Sequence, residues 1–191
     1  LRTACTQAQA WIEAGLPPVC VAVNISVRQF LQQDVVAWVA NTLQETGLSP
    51  QWLELELTES LIAQDIEKVT ETINQLKELG IKLSIDDFGT GYSSLNYLKS
   101  FRVDTLKIDQ SFVRTMLTER EDSAIVLAVI ALAQSLGFKV IAEGVEEEAH
   151  CQFLQQHACD EMQGYYFSKP VTAAEFEHML RDDKRLPSSY S

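Results

Sequence analysis

Two adjacent aspartates, Asp86 and Asp87, stand where an apolar run, Lys82–Ile85, meets the glycine-rich turn Gly89-Thr-Gly91. Neighbouring carboxylates repel each other unless a positive charge holds them, and a divalent cation is the usual partner. Other β-rich runs of the chain also end in polar residues: Asn24, Glu56 with Glu59, Lys107 with Asp109, Glu143 with Glu146, and Gln163. Together these positions hold seven carboxylates, two carboxamides and a single lysine. Such a set cannot stay ionised in a small volume beside one ammonium without strong repulsion. Two hard divalent ions, Mg2+ or Mn2+, would resolve it, since both take oxygen ligands from carboxylates and amides. A metal pair activates a water and clamps a phosphodiester for in-line displacement. Lys107 fits beside such a pair, orienting the attacking water or holding charge on the phosphate.

The elements that must position these groups form a regular series. The predicted strands are Val19–Ile25, Leu53–Thr58, Lys82–Asp86, Thr105–Ile108, Lys139–Ala142 and Asp160–Tyr166. Between them lie helical periods. Phe30, Leu31, Val35, Trp38, Val39 and Leu43 share one face before Gly47, and Ile66, Val69, Ile73, Leu76 and Leu79 share the next before Gly80. A short helix is expected over Ser94–Phe101 and another over Glu146–His157. The span Asp122–Leu136 is apolar nearly all round, which predicts burial on two sides or a subunit interface. Thr172-Ala-Ala-Glu175 is a capping box opening the last helix.

Strand–helix alternation predicts parallel strands with helical crossovers. Val21, Val23, Leu55, Leu57, Leu83, Ile85, Leu106 and Ile108 suit a face covered by helices. The opposite parity is small or polar: Ala22, Asn24, Ser84, Asp86, Thr105, Lys107, Asp109. An open doubly wound sheet is apolar on both faces, whereas a polar inner face belongs to a barrel with an active site at its mouth. The predicted fold class is therefore α/β, a TIM-like (β/α) barrel. Glu54 shares the inward parity of Glu56 one layer deeper and has no evident partner. Residues 1–181 read as one domain and 182–191 as a polar C-terminal tail.

Composition narrows the partners. Among 191 residues, 46% are hydrophobic, enough for a core, and 15 basic against 27 acidic residues give a net charge of −12. That excludes general binding of nucleic-acid polymers and anionic membranes, which needs a basic surface. The longest apolar run, the ten residues Ala124–Ala133, is too short to span a membrane. No signal peptide is visible, and Cys5, Cys20, Cys151 and Cys159 lack CxxC spacing, so reduced thiols in the cytoplasm are expected, although the parent protein could be membrane-anchored.

Each motif has a plainer reading. A lone Asp at a strand end is commonly a turn or cap residue. Glu146-Glu147-Glu148 fits a helix N-terminus favoured by its dipole, and Lys107 fits a buried counter-ion for Asp86. His150, Cys151, His157 and Cys159 match no common zinc spacing and read as helix-face and core residues. Gly89-Thr-Gly91 is too short for a phosphate cradle. Asp87-Phe88-Gly89 has the kinase metal triplet, but the glycine-rich loop and His-Arg-Asp loop of kinases are missing. The convergence of six strand ends is what these readings explain badly.

In this order the residues resemble the EAL-domain family of cyclic di-GMP phosphodiesterases. The matching blocks are Asn24-Ile-Ser-Val-Arg-Gln-Phe30, Glu56-Leu-Thr-Glu-Ser60, Asp86-Asp-Phe-Gly-Thr-Gly-Tyr-Ser-Ser-Leu95, Lys107-Ile-Asp-Gln-Ser-Phe-Val113, Glu143-Gly-Val-Glu146, and Gln163-Gly-Tyr165 with Pro170. The resemblance implies a modified TIM barrel that hydrolyses cyclic di-GMP to linear pGpG with Mg2+ or Mn2+. It implies Asn24, Glu56, Asp86, Asp87 and Glu143 as metal ligands, with Asp86 bridging two ions, and Lys107 as the water-orienting lysine. Glu59 resembles the glutamate that braces the loop Asp87–Leu95, and Glu146 and Gln163 match positions supporting metal or substrate. It also implies a homodimer formed through that loop and the helix after Lys107, and sensor or cyclase domains in the parent chain.

The departure is at the front. The family's first two strands, with the Glu-Ala-Leu glutamate that ligates a metal and an arginine near the phosphate, have no counterpart before Leu1. Six strands do not close an eight-stranded barrel, so two unpaired edges are expected, along with lower stability and a tendency to associate through them. An active phosphodiesterase in the parent protein is the first reading, with this stretch alone inactive or weakly so. A cyclic di-GMP-binding regulatory module without turnover is the second, and a TIM-barrel enzyme on another substrate the third.

Overall fold

The computed structural model describes residues 1–32, 34–62, 65–91 and 98–182. Its strands are β1 (Val21–Ile25), β2 (Leu53–Thr58), β3 (Lys82–Phe88), β4 (Thr105–Ile108), β5 (Lys139–Ala142) and β6 (Glu161–Met162). They form one sheet in chain order, every neighbouring pair parallel. The helices are α1 (Arg2–Glu13), α2 (Val27–Gln32), α3 (Val35–Thr46), α4 (Glu59–Ile62), α5 (Ile66–Glu78), α6 (Gln110–Thr115), α7 (Arg120–Leu136), α8 (Glu148–Gln156) and α9 (Ala173–Arg181). Sequential order with helical crossovers is the arrangement of a TIM-like barrel, here in six strands where the closed form has eight.

Period and caps explain the local structure. Val69, Ile73 and Leu76 of α5 recur at helical spacing and are buried. Asp65 opens that helix by accepting from Lys68 N at 3.3 Å. Asp34 does the same for α3 through Ala37 N at 3.0 Å, and Gly47, at φ 71°, stops it. The capping box of Thr172 and Glu175 opens α9 as expected. These helical stripes meet Leu53, Leu55, Leu83, Leu106 and Val140 of the sheet, all fully buried, in one continuous core.

Several boundaries differ from the sequence reading. β1 begins at Val21, not Val19, and β6 is only Glu161–Met162, because the chain turns at Gly164. β3 continues past Asp86 to Phe88 through a register shift. α8 begins at Glu148, leaving Glu146 in the preceding loop. α7 buries only one stripe, Val126, Val129, Ile130 and Ala133, while Ala124, Ala128 and Ala131 are exposed. Ile125, Leu127, Leu132 and Leu136 flank that stripe half-buried and the exposed side carries alanines, so the helix is buried on one side only. The expected helix Ser94–Phe101 begins outside the described residues, as does the tail beyond Asp182.

The two sheet edges, β1 and β6, each have one strand neighbour. Between them lies a cleft of about 1040 Å3, lined by Trp11, Val21, Met162, Phe167 and Phe176 among others. The rings of Trp11 and Phe176 meet across it, centroids 5.2 Å apart, which joins the first helix to the last. Among the described residues no helix is long and apolar enough to cross a membrane.

Candidate active site

β2, β3 and β4 and the end of β5 deliver one buried charge cluster. Lys107 of β4 is 3% exposed, and its Nζ donates to Glu56 Oε1 at 2.5 Å and pairs with Glu143 Oε1 at 2.6 Å and Asp86 Oδ1 at 3.3 Å. Glu56 and Asp86 are themselves 7% and 8% exposed. Burial alone would drive the Lys107 ammonium towards neutrality. The hydrogen bonds to Glu143 and Glu56, and their charges, overcome it and lift its pKa well above the ordinary lysine value. Lys107 is therefore a fixed cation and a donor, not a base. Burial raises the Glu143 carboxyl, against the hydrogen bond and charge of Lys107.

The adjacent aspartates are set by a bulge. Ile85 pairs with Leu106 and Phe88 with Ile108, so β3 places Asp86 and Asp87 against Lys107 alone. Two residues opposite one is the definition of a β-bulge, a device that re-aims side chains beside active sites. Asp87 absorbs it with φ 57°, a left-handed conformation that Asp tolerates better than most residues. It is exposed and stands beside Asp109. The partial burial its carboxyl keeps, then the charges of Asp86 and Asp109, hold that carboxyl above the ordinary value. Asp109 itself caps α6, accepting from Ser111 N at 2.9 Å and from the Ser111 hydroxyl.

The remaining sequence candidates surround this cluster without joining it. Asn24 lies on the edge strand β1, in register with Glu56, and is exposed. Glu59, 5% exposed at the start of α4, accepts from Gly89 N at 2.9 Å and Gly91 N at 3.2 Å, tying down the start of the loop after β3. That loop's residues 92–97 lie outside those described. Glu146 pairs with Arg114 Nη2 at 2.8 Å. Gln163 fastens its backbone to both neighbours, donating to Ala142 O at 2.8 Å and accepting from Val145 N at 3.0 Å. Glu143, Glu146, Gln163 and Arg114 line a cleft of about 210 Å3.

Two contributors escaped the sequence reading. Arg114 carries no motif signal, being a lone arginine in the last turn of α6. Gly164 fell inside a quoted block without a physical reason, which the structure supplies: a Cβ there would lie 2.1 Å from Val145 O and 2.3 Å from Val145 N. The His–Cys group keeps its plain reading. Cys151 is core, His157 Nδ1 bonds Phe153 O at 2.8 Å, and the Cys159 thiol donates to Glu161 O at 3.3 Å.

Among the described residues no three His, Cys, Asp or Glu side chains are set to hold one ion. The point on which Glu56, Asp86 and Glu143 converge is held by the Lys107 ammonium. The donor set is still all oxygen, and three carboxylates against one ammonium leave an excess of negative charge. That chemistry fits hard divalent cations.

A parallel α/β sheet of TIM-barrel type with its charged groups gathered at the C-terminal ends of several strands has an enzyme's layout. The family model described as "EAL domain" matches residues 1–170, and the chain belongs to that family. The cyclic di-GMP phosphodiesterase NbdA of Pseudomonas aeruginosa is 41% identical over 95% of this chain, which covers 23% of NbdA. The chain thus spans about a quarter of the length of such curated relatives. The EAL domain of Mycobacterium smegmatis DcpA superposes with a TM-score of 0.91 at 42% identity, over 97% of this chain and 83% of that one. The MucR phosphodiesterase of P. aeruginosa, solved with cyclic di-GMP, superposes at 0.88 and 40% identity, over 92% of this chain and 71% of that one. Klebsiella pneumoniae BlrP1, solved with manganese and cyclic di-GMP, superposes at 0.79 and 31%, over 90% and 43%.

Proposed function

We propose that this chain forms the greater part of a metal-dependent phosphodiesterase domain that hydrolyses cyclic di-GMP to linear pGpG. The observation that carries the reading is the buried cluster of Glu56, Asp86 and Glu143 on Lys107. The similarity to NbdA, and to MucR and BlrP1 solved with cyclic di-GMP, supports the substrate. Glu56, Asp86 and Glu143, with Asn24 and Asp87 on either side, are the residues that would hold two Mg2+ or Mn2+ ions. Bound there, such ions supply a water of lowered pKa and neutralise charge on the phosphate.

The protein's own part follows from the geometry. Lys107 stays protonated, bonds to Glu56 and Glu143 and only pairs in charge with Asp86. The Asp86 contact, at 3.3 Å, is the longest, so engaging Asp86 elsewhere frees one N–H to aim a water at phosphorus. The water oxygen bonds to phosphorus and gives up a proton, the bond to the ribose 3′ oxygen breaks, and that oxygen takes up a proton, so the water is divided as OH on phosphorus and H on the ribose. Glu59 holds Gly89 and Gly91, and with them the bulge that sets Asp86. Glu146 and Gln163 shape the neighbouring cleft. The chain spans about a quarter of the length of its curated relatives, so activity is assigned to the protein in its full length. Homodimerisation, tethered sensor or cyclase domains and a cytoplasmic setting belong to the same proposal.

The test is turnover of cyclic di-GMP by the full-length protein with Mn2+ or Mg2+, beside Asp86→Asn. Wild type is expected to release pGpG, and Asp86→Asn to lose at least about a hundredfold in kcat, which is about 2.7 kcal/mol. Binding of cyclic di-GMP with no pGpG at any metal concentration would sink the enzyme reading and leave a regulatory module. Unchanged activity in Asp86→Asn would point to chemistry elsewhere in the barrel.

A further inference from the structure

His150 is a buried polar side chain, 5% exposed, to which the reaction above gives no part. It stands in the first turn of α8, just after Glu147, which takes the N-cap position without a side-chain hydrogen bond. A glutamate or glutamine at the place of His150 would ordinarily reach back to the N-cap amide, as half of a capping box. The imidazole reaches one residue further. Its Nδ1 accepts from the backbone N–H of Glu146 at 3.4 Å. A neutral ring that accepts at Nδ1 carries its proton on Nε2. The ring turns about two bonds only and is buried, so the accepting nitrogen stands at a defined point.

We infer that His150 is a positioning residue of the site: its Nδ1 fixes the backbone at Glu146 and so holds the Glu146 carboxylate at the wall of the cleft, without itself touching substrate. The inference rests on the phosphodiesterase reading above. The segment from Glu143 to Glu146 carries one carboxylate of the Lys107 cluster and one of the neighbouring cleft. Its first part is tied main chain to main chain. Glu143 N donates to Ile108 O at 3.1 Å, Val145 N donates to Gln163 O at 3.0 Å, and Tyr166 N donates to Val145 O at 3.0 Å. No side chain decides those ties. The Glu146 amide, by contrast, is held by a side chain. The Glu146 carboxylate meets Arg114 Nη2 at 2.8 Å, but both side chains are well exposed, and so exposed a pair is too weak to set a backbone. A plain helix cap would serve the N-cap amide of Glu147, which His150 passes over. Glu143 keeps its own bond to Ile108 when His150 is lost, so the cluster stays in place. The loss should therefore fall on binding and not on the chemical step.

The experiment is steady-state turnover of cyclic di-GMP by the full-length protein with Mn2+. Wild type is set beside His150→Leu, His150→Gln, Glu146→Ala and the double variant of His150→Leu with Glu146→Ala. His150→Leu is expected to raise KM about tenfold with kcat within about twofold, the pattern of binding lost equally from ground and transition state. His150→Gln, whose Oε1 can accept as the imidazole does, should return KM to within about twofold of wild type. In the Glu146→Ala background His150→Leu should add nothing, because the side chain it places is gone. A residue that merely caps α8 would lower Tm and leave KM unchanged, or would raise KM by the same factor in both backgrounds. Either result, or a His150→Gln variant no better than His150→Leu, overturns this inference alone. Hydrogen exchange at the wild-type Glu146 amide requires no variant: protection is expected, and exchange at the open-chain rate overturns the inference even where His150→Leu fails to fold. Wild type that releases no pGpG overturns the phosphodiesterase reading and this role with it.

Discussion

Replacing Lys107 by methionine keeps an unbranched apolar stem and removes the one cation that Glu56, Asp86 and Glu143 share. The three carboxylate side chains are only 9%, 12% and 18% exposed, and that of Lys107 4%. Removing one partner of so buried a pair costs roughly 3–5 kcal/mol, because the charge left behind is uncompensated. For a domain of this size 1 kcal/mol moves Tm by about 2–4 °C, so Lys107→Met in EDTA should melt about 6–20 °C below wild type. Divalent cations should reverse most of this. At a hundred times its Kd a bound ion returns about 2.7 kcal/mol. It should do so at lower concentration in the variant than in wild type, where the ammonium holds the same oxygens. The assay is thermal unfolding by circular dichroism across an Mn2+ titration. The reasoning fails if the variant melts within about 2 °C of wild type in EDTA, or if Mn2+ raises both proteins equally at every concentration.

Three further outcomes are expected. Glu59→Ala strands the Gly89 and Gly91 amides, at a cost of about 1–3 kcal/mol; amide hydrogen exchange at both positions should accelerate, and unaltered protection would refute the bracing role. Gly164→Ala drives a methyl into the Val145 backbone, so the turn must open at about 1–3 kcal/mol; a melt at the wild-type temperature would show that the turn yields freely. Glu54, raised above its ordinary 4.5 chiefly by burial, contributes stability that is full below that value and is lost as pH rises through the raised one. Glu54→Gln removes the loss, so the variant should match wild type near pH 4 and exceed it at pH 7, and the opposite trend in denaturant melts would contradict the burial of that carboxyl.

The carboxylates at strand ends were legible because parallel strands put every C-terminal end on one rim, and parity alone then selects Glu56, Asp86 and Lys107. Bounds of β2, β4 and β5 were legible too, since each apolar run is closed by a polar residue. The bulge at Asp86 and Asp87 was not. Nothing in Ile-Asp-Asp-Phe separates a strand that ends from one that gains a residue, and the deciding fact is the pairing with Leu106 and Ile108 on another strand. β6 was overread for a similar reason. Asp160–Tyr166 has strand-like residues, but Val145 N, donating to Gln163 O at 3.0 Å, and Tyr166 N, donating to Val145 O at 3.0 Å, bend the chain there. The helix expected from Glu146 begins at Glu148, because Glu147 takes the N-cap position.

Register also shows why the cation of the cluster is a lysine. Glu56 is level with Ser84, and Asp86 with Thr58, so the two carboxylates stand two residues apart along the sheet. Thr105 is level with Ser84 and Leu106 with Ile85, which sets Lys107 by the upper of the two layers. Its ammonium still reaches Glu56 below and Glu143 on the next strand's end. A compact charge on a flexible four-carbon stem can serve partners in different layers, whereas a rigid planar guanidinium matches one bidentate carboxylate best. Conserving charge with arginine should therefore not conserve the cluster. Lys107→Arg should lose stability in EDTA as Lys107→Met does, to a smaller degree, and a melt indistinguishable from wild type would show that positive charge alone, and not its placement between layers, holds the three carboxylates.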